Sequence, residues 1–200
     1  MRRRLRARRR RLPDDERRSA ALAMARRLAD WPAFVGAGRI AGYWSCEGEL
    51  DPAPVLENAW TAGKAVYLPV LVDAPSESLR FAPYQPGQPM RSNRFGIPEP
   101  DVPPTEWVPP ERLDLVLMPL VAFDATGTRL GMGGGYYDRS FAFLHDPDYR
   151  GRRPLLLGLS YAFQQTGERL PRQPWDVPLD GVVTEAALLM FAPDRALSGR

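Results

Sequence analysis

Between Arg129 and Asp138 the chain reads R-L-G-M-G-G-G-Y-Y-D. Four glycines in five positions, Gly131, Gly133, Gly134 and Gly135, follow an arginine and precede two tyrosines and a carboxylate. Glycine lets the backbone approach an anion closely and adopt positive φ, so successive N–H groups can converge on one oxygen. Arg129 can fork a guanidinium onto phosphate oxygens. Asp138 can hold Mg²⁺ beside that phosphate. The chemistry in view is binding and transfer of a phosphoryl group. A glycine run after a strand also serves as a tight turn, and the glycines alone do not separate the two readings. Neither G-x-x-x-x-G-K-[ST] nor G-x-G-x-x-G occurs here. The combination of Arg129, the glycines, two tyrosines and Asp138 within ten residues favours phosphate.

Such a loop needs elements to hold it. Leu115 to Phe123 is an apolar run with β-branched and aromatic residues, read as a buried strand. Asp124, Thr126 and Gly127 supply turn chemistry, and Tyr137, Phe141 and Leu144 have helical spacing. The expectation is strand, glycine loop, then a helix from about Tyr136 to Leu144 whose N-terminus adds partial positive charge.

The flanking chain alternates strand and helix. A helix is expected after Pro13, with Asp14, Asp15 and Glu16 in its first turn and Leu22, Ala25, Leu28 and Ala29 on one face, ending at Trp31-Pro32. Strands are expected at Arg39–Trp44, Ala65–Val70, Leu79–Tyr84 (antiparallel, at an edge), Pro154–Tyr161 and Gly181–Thr184, with a helix from about Pro52 to Ala62. Residues 85–110 are proline-rich and are read as a wrap across the sheet, with Pro98-Glu99-Pro100 as a turn. This pattern predicts one three-layer α/β/α domain over 1–200 with a mainly parallel sheet. Taken one by one, most other polar residues read blandly. Glu47 and Glu49 lie in a loop after a strand, where α/β sheets place ligand groups, yet loop carboxylates are usually only solvated. Cys46 reads as a small filler, His145 as a loop residue, Lys64 as a cap on the preceding helix, and Asp176 and Asp180 as loop residues.

Composition narrows the class. With 200 residues and 44% hydrophobic content the chain can bury a core. No apolar run approaches 18 residues, so no membrane association is expected. One cysteine excludes an internal disulfide and a cysteine zinc site, and points to the cytoplasm. Eight of the 27 basic residues fall in positions 1–12 with no acid, leaving 19 basic against 24 acidic side chains, a net of −5, in the remainder. An arginine-rich arm can bind nucleic acid through phosphates, or form the first turns of an amphipathic helix; no aromatic residue interleaves with it as a stacking platform.

The segment F-D-A-T-G-T-R-L-G-M-G-G-G-Y-Y-D-R resembles the signature of the 5-formyltetrahydrofolate cyclo-ligase (5,10-methenyltetrahydrofolate synthetase) family. The resemblance recurs in Y-W-S-C-E-G-E-L-D, G-K-A-V-Y-L-P-V-L, F-G-I-P-E-P and P-W-D-V-P-L-D-G-V-V-T, in family order over most of the chain. It implies an α/β fold in which ATP and folate meet at the carboxyl ends of the strands. It further implies ATP- and Mg²⁺-dependent cyclisation of 5-formyltetrahydrofolate by an enzyme expected to act as a monomer. By resemblance, Arg129, Leu130, Gly131, Met132, Gly133, Gly134, Gly135, Tyr136 and Tyr137 hold the triphosphate, with Arg129 stabilising charge in catalysis. Met132 to Tyr136 also face the folate, Glu49 holds the pterin ring and Trp44 borders it. Asp138 and Asp176 share Mg²⁺. The family's N-terminal ATP arginine corresponds to Arg2 in one register and Arg6 in another, and the first is preferred. The alternative function is a nucleic-acid binder using the arginine arm around a structural glycine turn.

Overall fold

The computed structural model describes residues 1–191, so the last positions of the expected 1–200 domain lie outside the described residues. Strand β6 (Leu115–Pro119) shows why the sheet is buried on both sides. Leu115 and Leu117 enter one apolar cluster and Val116 and Met118 another, as the two-residue period of a strand requires. The main sheet runs β11 (Leu188–Met190), β10 (Gly181–Val183), β9 (Leu155–Leu159), β6, β1 (Arg39–Ala41), β2 (Ala65–Leu71) and β3 (Leu79–Pro83). The five inner strands are parallel. β3 is the expected antiparallel edge, and β11 adds a second at the opposite end. Three residues are too few for β11 to show a period in the sequence.

One face carries α2 (Asp14–Ala29), α3 (Pro32–Gly36) and α4 (Ala53–Thr61), which bury Met24, Leu28, Phe34 and Val55 against Ile40 and Leu68. The buried stripe of α2 runs through Ala21, Met24, Ala25 and Leu28, leaving Leu22 and Ala29, both expected on that face, exposed. The other layer is thinner. It consists of α5 (Tyr136–Ser140), a 3-10 turn over Ala142–His145 and irregular chain, with Phe141 fully buried between them and the sheet. Burying that ring stabilises the layer by about 3 kcal/mol. Lys64 does not cap α4: its ammonium donates to the carbonyls of Val35 and Ala37, at the end of α3.

From β1 the chain winds outward to β2 and β3, then returns to enter β6 on the other side of β1. The winding reverses between β1 and β6, which opens a crevice beyond their carboxyl ends. The returning wrap contains a hairpin, β4 (Met90–Ser92) with β5 (Pro98–Pro100). Pro98-Glu99-Pro100 is therefore strand, not turn. Buried Glu99 holds it down by accepting from the Leu71 N–H at 2.8 Å and the Asn93 amide at 2.9 Å. The expected strand 115–123 is also divided. β6 stops at Pro119, and β7 (Ala122–Phe123) turns back to pair with β8 (Arg129–Leu130). Asp124 closes that hairpin by accepting from the N–H groups of Thr126, Thr128 and Leu170. The glycine loop thus leaves a small hairpin hung on the central strand, not the strand itself.

Candidate functional site

A cavity of about 1000 Å³ occupies the crevice at the switch point. Tyr43 and Trp44 line it beyond β1, Pro119 and Leu120 at the end of β6 and just past it, and Phe95 and Ile97 from the β4–β5 hairpin. Eight large apolar side chains are exposed among the described residues, and four of them, Trp44, Phe95, Met132 and Trp175, border this cavity. Apolar surface gathered at one concave site marks ligand binding.

The glycine loop forms one wall. Gly133 and Gly135 have φ of +105° and +66°, a region open to glycine at little cost. Among the described residues, a Cβ on Gly131 or Gly133 would meet nothing within 4 Å beyond its chain neighbours, so these two positions face open space. At Gly134, φ is not positive, and a Cβ would instead lie 3.0 Å from the Tyr136 ring. Helix α5 is five residues long rather than the nine expected, because Phe141 turns into the core. So short a helix adds little dipole, and the cationic side chains carry the attraction for an anion. Arg129 is 93% shielded, and its guanidinium meets the Asp138 Oδ1 at 2.7 Å and the Val177 carbonyl. Tyr136 packs edge-on against Phe95, and its hydroxyl accepts from the Arg94 guanidinium. Tyr137 stacks on Phe141, and burial holds its phenol well above the usual range. Leu130 packs into a small cluster with Val121, while Met132 stands exposed at the cavity mouth.

Asp138 and Asp176 both line the cavity. Asp138 Oδ1 also accepts from the Val177 N–H at 3.1 Å, and Asp176 Oδ2 accepts from the Gln173 N–H at 2.7 Å. Among the described residues, Asp138 Oδ2 and Asp176 Oδ1 have no hydrogen-bond partner. No cluster of three or more metal-binding side chains occurs among the described residues. One open oxygen on each of two carboxylates fits Mg²⁺, which takes one or two carboxylates, keeps several waters and shares phosphate oxygens.

Another part of the wall is the loop Cys46–Glu49, and the arginine arm packs against it. The arm is a docked helix, α1 (Arg2–Arg10), with Leu5 and Arg9 buried and Arg8 stacked over the Phe163 ring at 4.1 Å. Arg2 lines the cavity and donates to the Gly131 carbonyl at 2.8 Å. Arg6 forks onto the Glu47 carboxylate at 2.7 and 3.0 Å, so of the two candidate arginines Arg2 is the one bonded to the glycine loop. Glu47 has φ of +49°, rare for a side chain with a Cβ, and that fork helps hold it there. Glu49 is 91% shielded and accepts from the Cys46 N–H at 3.2 Å and Sγ at 3.5 Å. Burial lifts its carboxyl above the usual range, and the Arg9 charge opposes that. Burial also pushes the Cys46 thiol up to about 12, which suits a filler rather than a nucleophile. His145 sits at the cavity edge, 3.3 Å from the Trp175 carbonyl. Arg9 and the tip residue Phe95 are absent from the sequence-based candidates. Arg9 had a signal: it lies four residues after Leu5, on the same helix face.

Fold and site define an α/β protein with a ligand crevice at its switch point, walled by a glycine loop and a buried carboxylate. The chain belongs to the 5-formyltetrahydrofolate cyclo-ligase family, whose model matches residues 1–185. The 5-formyltetrahydrofolate cyclo-ligase of Escherichia coli (strain K12) is 40% identical over 181 residues, covering 90% of this chain and 96% of that one. The Haemophilus influenzae cyclo-ligase is 42% identical over 143 residues, covering 72% and 73%. The solved structure of Aquifex aeolicus 5,10-methenyltetrahydrofolate synthetase matches with a TM-score of 0.77 at 32% identity, covering 98% of this chain and 93% of that one.

Proposed function

We propose that the protein closes 5-formyltetrahydrofolate to 5,10-methenyltetrahydrofolate while ATP becomes ADP and phosphate. Family membership supports the reaction, and one observation carries the site: the glycine loop and Glu49 open onto the same cavity. A triphosphate on the loop and a pterin on Glu49 would bring the γ-phosphate and the formyl group together. A formamide oxygen is a poor leaving group, and phosphorylation changes that. The formyl oxygen attacks the γ-phosphorus and ADP leaves; N10 then adds to the formyl carbon, loses its proton, and phosphate departs with the C–O bonding pair.

The side chains position and neutralise rather than bond covalently. Loop N–H groups from Leu130 to Tyr137 cradle phosphate oxygens, with Arg2 beside Gly131. Arg129 offers its guanidinium to charge developing on the transferred group. Glu49 accepts N–H donors of the pterin, Trp44 and Met132 cover its apolar faces, and Tyr136 closes the folate side. Mg²⁺, when bound, neutralises phosphate charge, and Asp138 and Asp176 would hold it. No step requires a histidine, which agrees with the peripheral place of His145. The test is the rise of methenyl absorbance from 5-formyltetrahydrofolate. It is expected with Mg·ATP and absent when either ATP or Mg²⁺ is withheld. Absorbance that never rises under complete conditions would refute the reading.

A further inference from the structure

Of the eight arginines in the first twelve residues, Arg9 alone has its side chain almost wholly buried, at 1% exposure. Its Nε donates to the Glu47 carbonyl at 3.2 Å and its Nη1 to the Leu120 carbonyl at 3.2 Å. Glu47 follows β1 and Leu120 follows β6, so one guanidinium ties together the two strand ends that flank the switch point. Its third nitrogen, Nη2, makes no hydrogen bond among the described residues and lies 3.6 Å from Glu49 Oε1. The backbone is shaped around this insertion: Gly48 has φ of +74°, and a Cβ there would stand 2.9 Å from the Arg9 carbonyl. A buried cation is costly unless its surroundings use the charge.

We propose that Arg9 is a positioning residue for the cleft, keeping the Glu49 carboxylate ionised and aimed at the pterin. The proposal rests on Glu49 as the pterin acceptor. Its physical content is a competition at Glu49. Burial favours the neutral carboxyl, which would present a donor where the pterin N–H groups need an acceptor. Arg9 from α1 opposes burial, together with the Cys46 N–H and thiol. The other groups that face Glu49 are Glu47 on the same loop, Tyr43 after β1 and Tyr137 of α5; Glu47 disfavours the charge and both phenols are neutral in the working range. Arg9 is therefore the one cation in that set.

The experiment is the pH dependence of folate KM, ATP KM and kcat for the unaltered protein, Arg9→Met, Arg9→Lys and Glu49→Gln. In Arg9→Met burial acts with less opposition, so Glu49 takes up its proton at higher pH. Folate KM should rise about tenfold near pH 6, the scale of a lost charged hydrogen bond, and the excess should shrink toward about twofold near pH 9. ATP KM and kcat should hold within about twofold, and Arg9→Lys should return the profile toward that of the unaltered protein. An unchanged folate KM, or an equal rise in both KM values at every pH, would overturn the proposal. Should Arg9→Met fail to fold, the double variant Arg9→Met/Glu49→Gln removes both charges, and thermal midpoints decide. Recovery of folding in the double variant supports coupling, whereas its failure to fold overturns it. If the unaltered protein forms no methenyl product, the functional reading fails, and the same thermal cycle still decides whether Arg9 and Glu49 are coupled.

Discussion

Two glycine-bearing loops line the crevice, and they use glycine in different ways. In the loop Cys46–Glu49, Gly48 is packed against the backbone of α1, with 2.9 Å between a would-be Cβ and the Arg9 carbonyl. In the loop after β8, Gly131 and Gly133 face nothing within 4 Å. The first loop is closed because the chain itself fills the space. The second lies open along the cavity wall, where the proposed reaction would seat a triphosphate. A composition-level reading treats both as flexible turns. The contacts separate a packed glycine from an open one, and the role of each fails under a different substitution.

The largest effect is expected on the open side. Asp138→Asn keeps an acceptor for the Val177 N–H but removes the charge that pairs with buried Arg129 and leaves a weaker Mg²⁺ ligand. Under the proposed reaction kcat/KM should fall on the order of a hundredfold, with the Mg²⁺ titration moved to higher concentration. Activity near that of the unaltered protein with an unmoved titration would remove Asp138 from the metal site and weaken the case that the open loop faces a phosphate.

Next comes the packed loop. Gly48→Ala forces a Cβ into the Arg9 carbonyl at a φ that alanine disfavours, and α1 must shift. Stability should drop by about 2 kcal/mol, read as a lower thermal midpoint. Folate KM should rise more than ATP KM, because the displaced helix carries Arg9 away from Glu49. A normal midpoint would mean that this loop is as open as its counterpart.

The same contrast explains what the sequence made legible. Strongly patterned stretches declared themselves: Leu115–Pro119, Ala65–Leu71 and Leu155–Leu159 are the strands expected near those positions, and α4 lies within the expected Pro52–Ala62 helix. The site's open wall was legible because glycines, an arginine and a carboxylate sit within ten residues of one another. The closed wall was not, since it joins Arg6 and Arg9 to Glu47 and Glu49 across about forty residues. Spacing after Leu5 marks Arg9 as an inward position, but nothing local names a partner forty positions away, and eight arginines within the first twelve residues offer many cations for the part. Pro98-Glu99-Pro100 misled for a related reason. Its prolines signal a turn, while the buried Glu99 that holds it as a strand answers to Leu71, far away in sequence.

The smallest effect is the most discriminating. Gly131 has no positive φ, and among the described residues nothing beyond its chain neighbours lies within 4 Å of an added Cβ. Gly131→Ala therefore carries no backbone strain and no collision, and the thermal midpoint should stay put. Gly133→Ala is strained by its φ, and Gly134→Ala presses on Tyr136, so neither isolates ligand contact from folding. At Gly131 the only thing a methyl group can obstruct is what enters the cavity. If that is a triphosphate drawn close to the backbone, ATP affinity measured by calorimetry should fall about tenfold, near 1.4 kcal/mol, while the midpoint is unchanged. An alanine that leaves both ATP affinity and midpoint untouched would show that this stretch of loop does not touch the nucleotide. The phosphate cradle would then have to begin at Gly133, beyond the carbonyl that Arg2 holds.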